Sequence, residues 1–473
     1  MSTQEILSDS TVGPVADQAT PQTGSSTREW AHAGRIAFRI SFLYFVCFLA
    51  FFGNGTIFNI FPVVGDWVYN GLTAAPFHVT EWVGQHVFHL TGLAAHWHPT
   101  GSGDATLNWI LNGLFVVVAL VGGLLWTLVA ALLGNKRKEY ESMYAWLRFL
   151  LRLTCGYFML QYGLAKVFPL QMAPISIGIL NEPVGNMSPM TMLWGLIGLH
   201  PMYEVFCGLA EVTGGVLILF RRTALAGALV SAFVMTNVLL YNMFFDVPVK
   251  LFAASLLLAC LYLAVPDLRA LFDFFWLHKP AAPAAVWVPP ASRRWYRMTL
   301  RTVEIIFTFG PLILIPIFIG MGWKQNLKAM RTPSPLLGAW HLDAAHPATG
   351  AFITGDGAPA SDLYIDTVQR AFTRSVDGEL WRTNLHIDAK AHTISVRPYG
   401  GDPVKYSWQM PDAQHMVLTT VPPEPPKAKD KTPPKPAPPF TTQVISFTRT
   451  PTMAHYPLLE RGFHWVNQWG YER

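Results

Sequence analysis

The feature that most constrains this chain is its succession of long apolar runs, most of them about 20 residues or more, separated by short polar or basic stretches. A helix of about 20 residues spans a hydrocarbon core roughly 30 Å thick. Seven such runs are read, at about 36–61, 105–133, 144–168, 201–220, 223–245, 250–265 and 298–323. Composition agrees: hydrophobic residues make up 51% of the chain and charged residues 13%, about half the charge of an ordinary soluble domain. The net charge of +5 lies in short loops beside the apolar runs. It does not lie on one face of a domain, which excludes nucleic acid as a partner class.

The basic loops alternate with loops that lack Lys and Arg. The positive-inside rule therefore puts the N-terminus, Asn135-Lys136-Arg137-Lys138, Arg221-Arg222 and the stretch 266–297 in the cytoplasm. The loops at about 62–104 and 169–200, and everything after Trp323, are expected outside, as in a multi-pass protein of the bacterial inner membrane. Residues 1–29 are polar and read as a disordered cytoplasmic tail rather than a signal peptide. Residues 30–142 hold the first two spans and a loop rich in His and Trp, 143–268 four more spans, and 269–331 a cytoplasmic connector and the last span.

Residues 332–473 change character. Leu380–Ile387, Thr393–Arg397, Lys405–Gln409 and Gln443–Thr448 alternate apolar with polar side chains, as half-buried strands do. Asp377-Gly378 and Gly400-Gly401 mark turns, and the Pro- and Lys-rich run 422–439 reads as a surface loop. An extracytoplasmic antiparallel β-barrel or sandwich follows. Its opening Gly338-Ala-Trp340 has the G-x-W spacing of the first strand of lipocalin-like barrels. The aromatic stretch from Arg461 to Tyr471 is expected to dock on the barrel or at the membrane interface.

Charge inside a membrane helix is costly, so each such residue is a candidate site. At 1.5 Å rise per residue, Lys166 and Glu204 lie at similar depth under the outer surface, with Glu211 about 10 Å deeper. Gln161, Tyr162, Asn242, Asp246 and Lys250 fall in the same slab. Lys166, Glu204, Glu211 and Asp246 are the candidate catalytic groups, and Gln161, Tyr162, Asn242 and Lys250 the candidate binding groups. Two readings stay open: an outward-facing polar pocket, or ion pairs that close the bundle. Glu211 lies near mid-membrane beside Gly214-Gly215, where a second helix can approach closely, and a carboxyl there can carry a proton.

Other motifs carry less. His86 and His89 are spaced to share one face of a helical turn, but no carboxylate or cysteine completes a ligand set. An interfacial amphipathic helix with Trp82, Val83, Val87 and Phe88 is the simpler reading, and no metal is assigned. Thr100-Gly-Ser-Gly-Asp104 reads as a turn with Ser102 or Asp104 as a helix cap, and not as a phosphate loop. The four cysteines, Cys47, Cys155, Cys207 and Cys260, lie in apolar runs without a C-x-x-C pair and read as packing residues.

Gly163-x-x-Lys166, Glu211-x-x-Gly214-Gly215 with Leu217, and Arg221-Arg222-Thr223 before an Ala-rich helix resemble the DoxX-like membrane family over about 149–268. Tyr241-Asn242-x-x-x-Asp246-Val-Pro-Val-Lys250, Gly101-Ser-Gly-Asp104 and Arg461-Gly-Phe-His-Trp465 look like a longer, mostly uncharacterised bacterial branch. The resemblance implies a four-helix core over 143–268. Some members are subunits of thiosulfate:quinone oxidoreductases, and others are linked to thiol redox balance. This chain adds three spans and a β-domain. No haem, flavin or iron–sulfur motif is present, so a redox role requires a bound quinone or a partner protein that supplies electrons. A small-molecule transporter using the same pocket, and a scaffold acting through the β-domain, are the alternatives. Oligomeric state is not legible.

Overall fold

The computed structural model describes residues 30–51, 64–98, 102–134, 139–172, 174–282, 284, 293–331, 334–343, 359–368, 370–397, 403–422, 442–452 and 456–460. Several sequence readings lie outside these residues: the tail 1–29, the basic loop 135–138, the Gly400-Gly401 turn, the run 423–439 and the aromatic stretch 461–473.

The helices are α1 (His32–Phe51), α2 (Val64–His86), α3 (Thr106–Leu132), α4 (Glu141–Val167), α5 (Ile177–Leu180), α6 (Pro189–Leu199), α7 (Pro201–Leu219), α8 (Ala224–Phe244), α9 (Lys250–Ala264), α10 (Leu268–Phe275), α11 (Arg294–Arg331) and α12 (Pro457–Glu460). Six helical stretches are long and apolar enough to cross a membrane: α1, α3, α7, α8, α9 with its continuation to Phe275, and α11 to Gln325. Their outer faces carry exposed Val117, Val121, Leu124 and Leu128 on α3 and Ile313, Ile317 and Phe318 on α11, as in a multi-pass membrane protein. The 27-residue α4 is as long as these but carries Arg148, Arg152 and Lys166, and so lacks their apolarity.

Small residues and charges together explain how the bundle packs. Gly156 and Gly163 of α4 lie against Gly215 and Gly208 of α7; a Cβ on Gly163 would stand 2.9 Å from the Gly208 carbonyl oxygen. Close backbone approach needs this absence of side chains. Gly214 and Gly227 do the same between α7 and α8, so α7 is sandwiched between its neighbours. At the opposite end of the bundle from Lys166, the buried Arg152 donates to the Ile218 and Leu219 carbonyls that end α7, at 3.1 and 2.6 Å. Arg148 donates to the Leu263 carbonyl at the end of α9. These arginines satisfy helix-terminal carbonyls that would otherwise be orphans. Cys155 and Cys260 are buried in the same apolar cluster, whereas Cys47 and Cys207 are half-buried.

Two expectations need correction. The stretch 62–104 is not only a loop, because α2 fills half of it and packs on α1 and α3. His86 and His89 do not share a helical turn either, since α2 ends at His86 and His89 adopts a positive φ of 53°. The His86 ring instead stacks on Trp82, and its Nδ1 lies 2.9 Å from the Trp82 carbonyl oxygen.

The C-terminal domain is a closed antiparallel barrel of eight strands in chain order: β1 (Gly338–Leu342), β2 (Ala360–Thr367), β3 (Arg370–Ser375), β4 (Leu380–Asp388), β5 (Thr393–Arg397), β6 (Val404–Gln409), β7 (His415–Thr420) and β8 (Val444–Thr450). β8 returns to pair with β1, which removes the sheet edge. Inward residues form one packed core around Trp340, Tyr406, Phe447 and Met416. Trp340 donates from Nε1 to the Leu336 carbonyl, and the Arg449 guanidinium stands 4.9 Å over its ring.

Candidate functional site

The site is built where α4 ends and α7 begins. Close packing at Gly163 and Gly208 brings Lys166 Nζ within 2.8 Å of both carboxylate oxygens of Glu211. Each side chain is 4% exposed. A lone charge at that position would be prohibitive; a pair with both oxygens engaged is tolerated.

Glu204 does something different. It is fully buried, and its Oε1 accepts from the backbone N–H groups of Met172 and Gln171 at 2.9 and 3.3 Å. Its Oε2 has no hydrogen-bond partner among the described residues. Glu204 thus fastens the segment that follows α4, and Gln171 on that segment faces the site.

A cavity of about 50 Å³ adjoins the ion pair. On this measure one water takes about 10–15 Å³, so the space suits roughly three to five waters or one six-membered ring. Met159, Tyr162 and Lys166 of α4, Gln171, Trp194 of α6 and Glu211 of α7 line it. Met235, Val238, Tyr241 and Asn242 of α8, Val247 and Val249 of the following turn, and Phe252, Ala253 and Leu256 of α9 complete the wall.

Four of the sequence-predicted residues meet in this wall: Tyr162, Lys166, Glu211 and Asn242. Four do not. Gln161 is next in sequence on α4 and half-buried, outside the lining. Glu204 sits behind the wall. Asp246 is 81% exposed and pairs with Lys250 at 2.7 Å, four residues on, outside the cavity. Depth along the helices matched Lys166 to Glu204 and set Glu211 deeper, whereas Lys166 pairs with Glu211; azimuth decides what faces inward, and a turn at Asp246 with φ of 52° points outward. Trp194, Gln171 and Tyr241 went unread as site residues. Tyr241 carried a signal in its Tyr-Asn motif; Gln171, just after α4, and Trp194, on α6, lie in the connection to α7 that only the fold brings over the cavity.

The Gly-Ser-Gly-Asp motif also acts across space. Asp104 accepts from the N–H groups of Lys250 and Leu251 at 2.6 and 3.0 Å, and Gly103 donates to the Pro248 carbonyl. Asp104 therefore caps α9 and not the helix that follows it, whose N-cap Ala105 has no side-chain bond.

Beyond Gln171, the chain is clamped by the barrel. Outward-facing residues of β2 and β3 grip 174–182. Asp366 Oδ1 accepts from Ile177 N at 2.7 Å, and Arg370 donates to the Pro174 carbonyl at 2.6 Å. Arg374 pairs with the buried Glu182 at 2.7 Å and donates to the Asn181 carbonyl. Gly178 fits against Phe372 and Tyr364, where a Cβ would lie 3.1 and 3.4 Å from their Cβ atoms. Burial pushes the Asp366 carboxyl above its ordinary value of 3.8, with the Ile177 N–H and Arg370 opposing; burial also lowers Arg370. In each case desolvation outweighs the attraction within the pair.

Over 124 residues the chain is 33% identical to the protein named "Uncharacterized protein YwoB" of Bacillus subtilis (strain 168), covering 26% of this chain and 79% of YwoB. The chain belongs to the family of YwoB. The YwoB-like match leaves about three quarters of this chain without a counterpart in it. No family model matches the chain, and no solved structure matches it.

Proposed function

We propose that this YwoB relative is a DoxX-like protein of the bacterial inner membrane that binds a quinone-class molecule in the α4/α7/α8/α9 cavity, as a quinone-linked redox protein or a subunit of a redox complex. In this reading α4 is a seventh span and, with α7, α8 and α9, forms the DoxX-like core. The N-terminus is cytoplasmic, and the barrel lies on the extracytoplasmic side. The observation that carries it is the buried Lys166–Glu211 pair set in the wall of a cavity whose other surfaces are aromatic and apolar. Such a wall suits a flat ring with polar substituents. Tyr162, Trp194, Tyr241 and Phe252 supply ring contacts. The ion pair supplies a donor and an acceptor beside the ring, and a carboxylate–ammonium pair can pass a proton to a ligand oxygen. Electrons would be exchanged with a partner protein, since the sequence carries no haem, flavin or iron–sulfur motif.

The test is mass spectrometry of small molecules that co-purify with the protein in nanodiscs, for wild type and for Lys166→Met with Glu211→Gln. A quinone-class molecule retained by wild type and lost by the variant is the expected result. Bulk lipid alone from both, with both folded, would end this reading and move attention to the barrel and its partners.

A further inference from the structure

The cavity wall has an unmet hydrogen-bonding need. Asn242 is 1% exposed and borders the cavity. Its Nδ2 points at the Val249 carbonyl oxygen, 3.5 Å away. That carbonyl fixes the amide orientation, because the flipped amide would set oxygen against oxygen. Among the described residues nothing donates to Asn242 Oδ1, nor to Gln171 Oε1 in the lining of the same cavity. A buried acceptor without a donor is costly, so such groups normally have partners. Lys166 does not meet the need, since its ammonium is directed at Glu211. The side-chain amide oxygens bordering the cavity thus ask for donors.

We infer that the cavity is built for the hydroxyl-bearing, reduced form of its ligand: a quinol whose phenolic O–H donates to Asn242 Oδ1. This rests on the quinone-class reading above and sharpens it. A quinone carries acceptors only, and its carbonyl oxygens would face the orphan oxygen of Asn242. A quinol carries an O–H at each end of the ring and can donate where a quinone cannot. Asn242 is then a specificity residue, one that distinguishes two oxidation states of nearly equal size by what they can donate. A site built to hydrogen-bond an O–H rejects the analogue that lacks it far more strongly than a site shaped only for apolar bulk.

The experiment is anaerobic calorimetric titration of the full chain in nanodiscs with three probes: tetramethyl-1,4-benzoquinol, its quinone, and the dimethyl ether of the quinol. Wild type is expected to bind the quinol about ten- to a hundredfold more tightly than either of the others, the factor that one unsatisfied buried acceptor commands. Asn242→Leu is expected to bring the quinol down to the affinity of the ether. Equal binding of quinol, quinone and ether by wild type would overturn the inference and leave the quinone-class reading standing. Binding of none of the three would remove both. The wild-type ratio decides the matter even if Asn242→Leu does not fold.

Discussion

At the scale of single residues, the chain treats its buried charges in two ways. Arg152, Arg148 and Glu204 satisfy backbone groups at chain ends and loops, whereas Lys166 and Glu211 satisfy each other at a cavity. The two classes respond differently to substitution. Lys166→Met alone strands a buried carboxylate and is expected to cost about 3–5 kcal/mol, while Lys166→Met with Glu211→Gln costs much less. A double-mutant cycle on unfolding in detergent measures this; additive single effects would show that the pair is not coupled. Gly208→Val is expected to cost more than about 1–3 kcal/mol, the usual range for overpacking. A Cβ there already stands 2.8 Å from Lys166 Cβ and from Val167 N. The same variant is expected to displace Lys166 from Glu211, seen as weakened ligand retention.

At the scale of elements, contacts distant in sequence set helix ends. Asp104, just before α3, caps α9, whose first N–H groups have no intrahelical acceptor. Asp104→Ala is expected to lower stability by about 1 kcal/mol and to speed hydrogen exchange at Lys250 and Leu251, with Asp104→Asn nearer to wild type. The exposed Asp246–Lys250 pair sits on the same turn, yet Asp246→Ala is expected to change little, because solvent screens it. α11 has 38 residues, about 57 Å of helix, far more than a bilayer core requires. The excess carries the chain to the barrel, and α11 packs on α4 and touches β2.

At the scale of the whole molecule, the segment 168–182 is held at both ends. Glu204 and the cavity hold its first part, and the barrel holds its last part. Arg374→Ala leaves the buried Glu182 without its cation and is expected to loosen this tether. Limited proteolysis should then cut within 174–182 in the variant and spare wild type. The pH dependence of the clamp follows from Asp366. Its folded-state carboxyl titrates above 3.8, so the folded state holds that proton more tightly than the unfolded state. Its contribution to stability is greatest below 3.8 and is lost as pH rises through the raised value. Asp366→Asn is expected to flatten that part of the thermal stability profile against pH, and an unchanged profile would assign the effect elsewhere.

What the sequence determined by itself is whatever depends on period and length. Apolar runs long enough to cross a bilayer marked α1, α3, α7, α8, α9 and α11, and two-residue alternation marked β4, β5, β6 and β8, because these signals are local. Rise per residue set Lys166 level with Glu204 and Glu211 about 10 Å deeper, yet Lys166 pairs with Glu211, because α4 and α7 meet at Gly163 and Gly208. β3 and β7 were not read because their inward positions include Ala371, Thr373, Ser375 and Thr420, which break the apolar alternation, and β2 was not read because register shifts at 360–362 and 365–367 interrupt its alternation. Only the tertiary structure decided which polar residues of the slab face one another. Azimuth depends on where glycines let α4 and α7 touch, and that put Asn242 on the cavity and Asp246 in solvent. It also decided that one connection lines the cavity and is gripped by the barrel, because bonds such as Met172 to Glu204 and Ile177 to Asp366 join residues that no sequence period links.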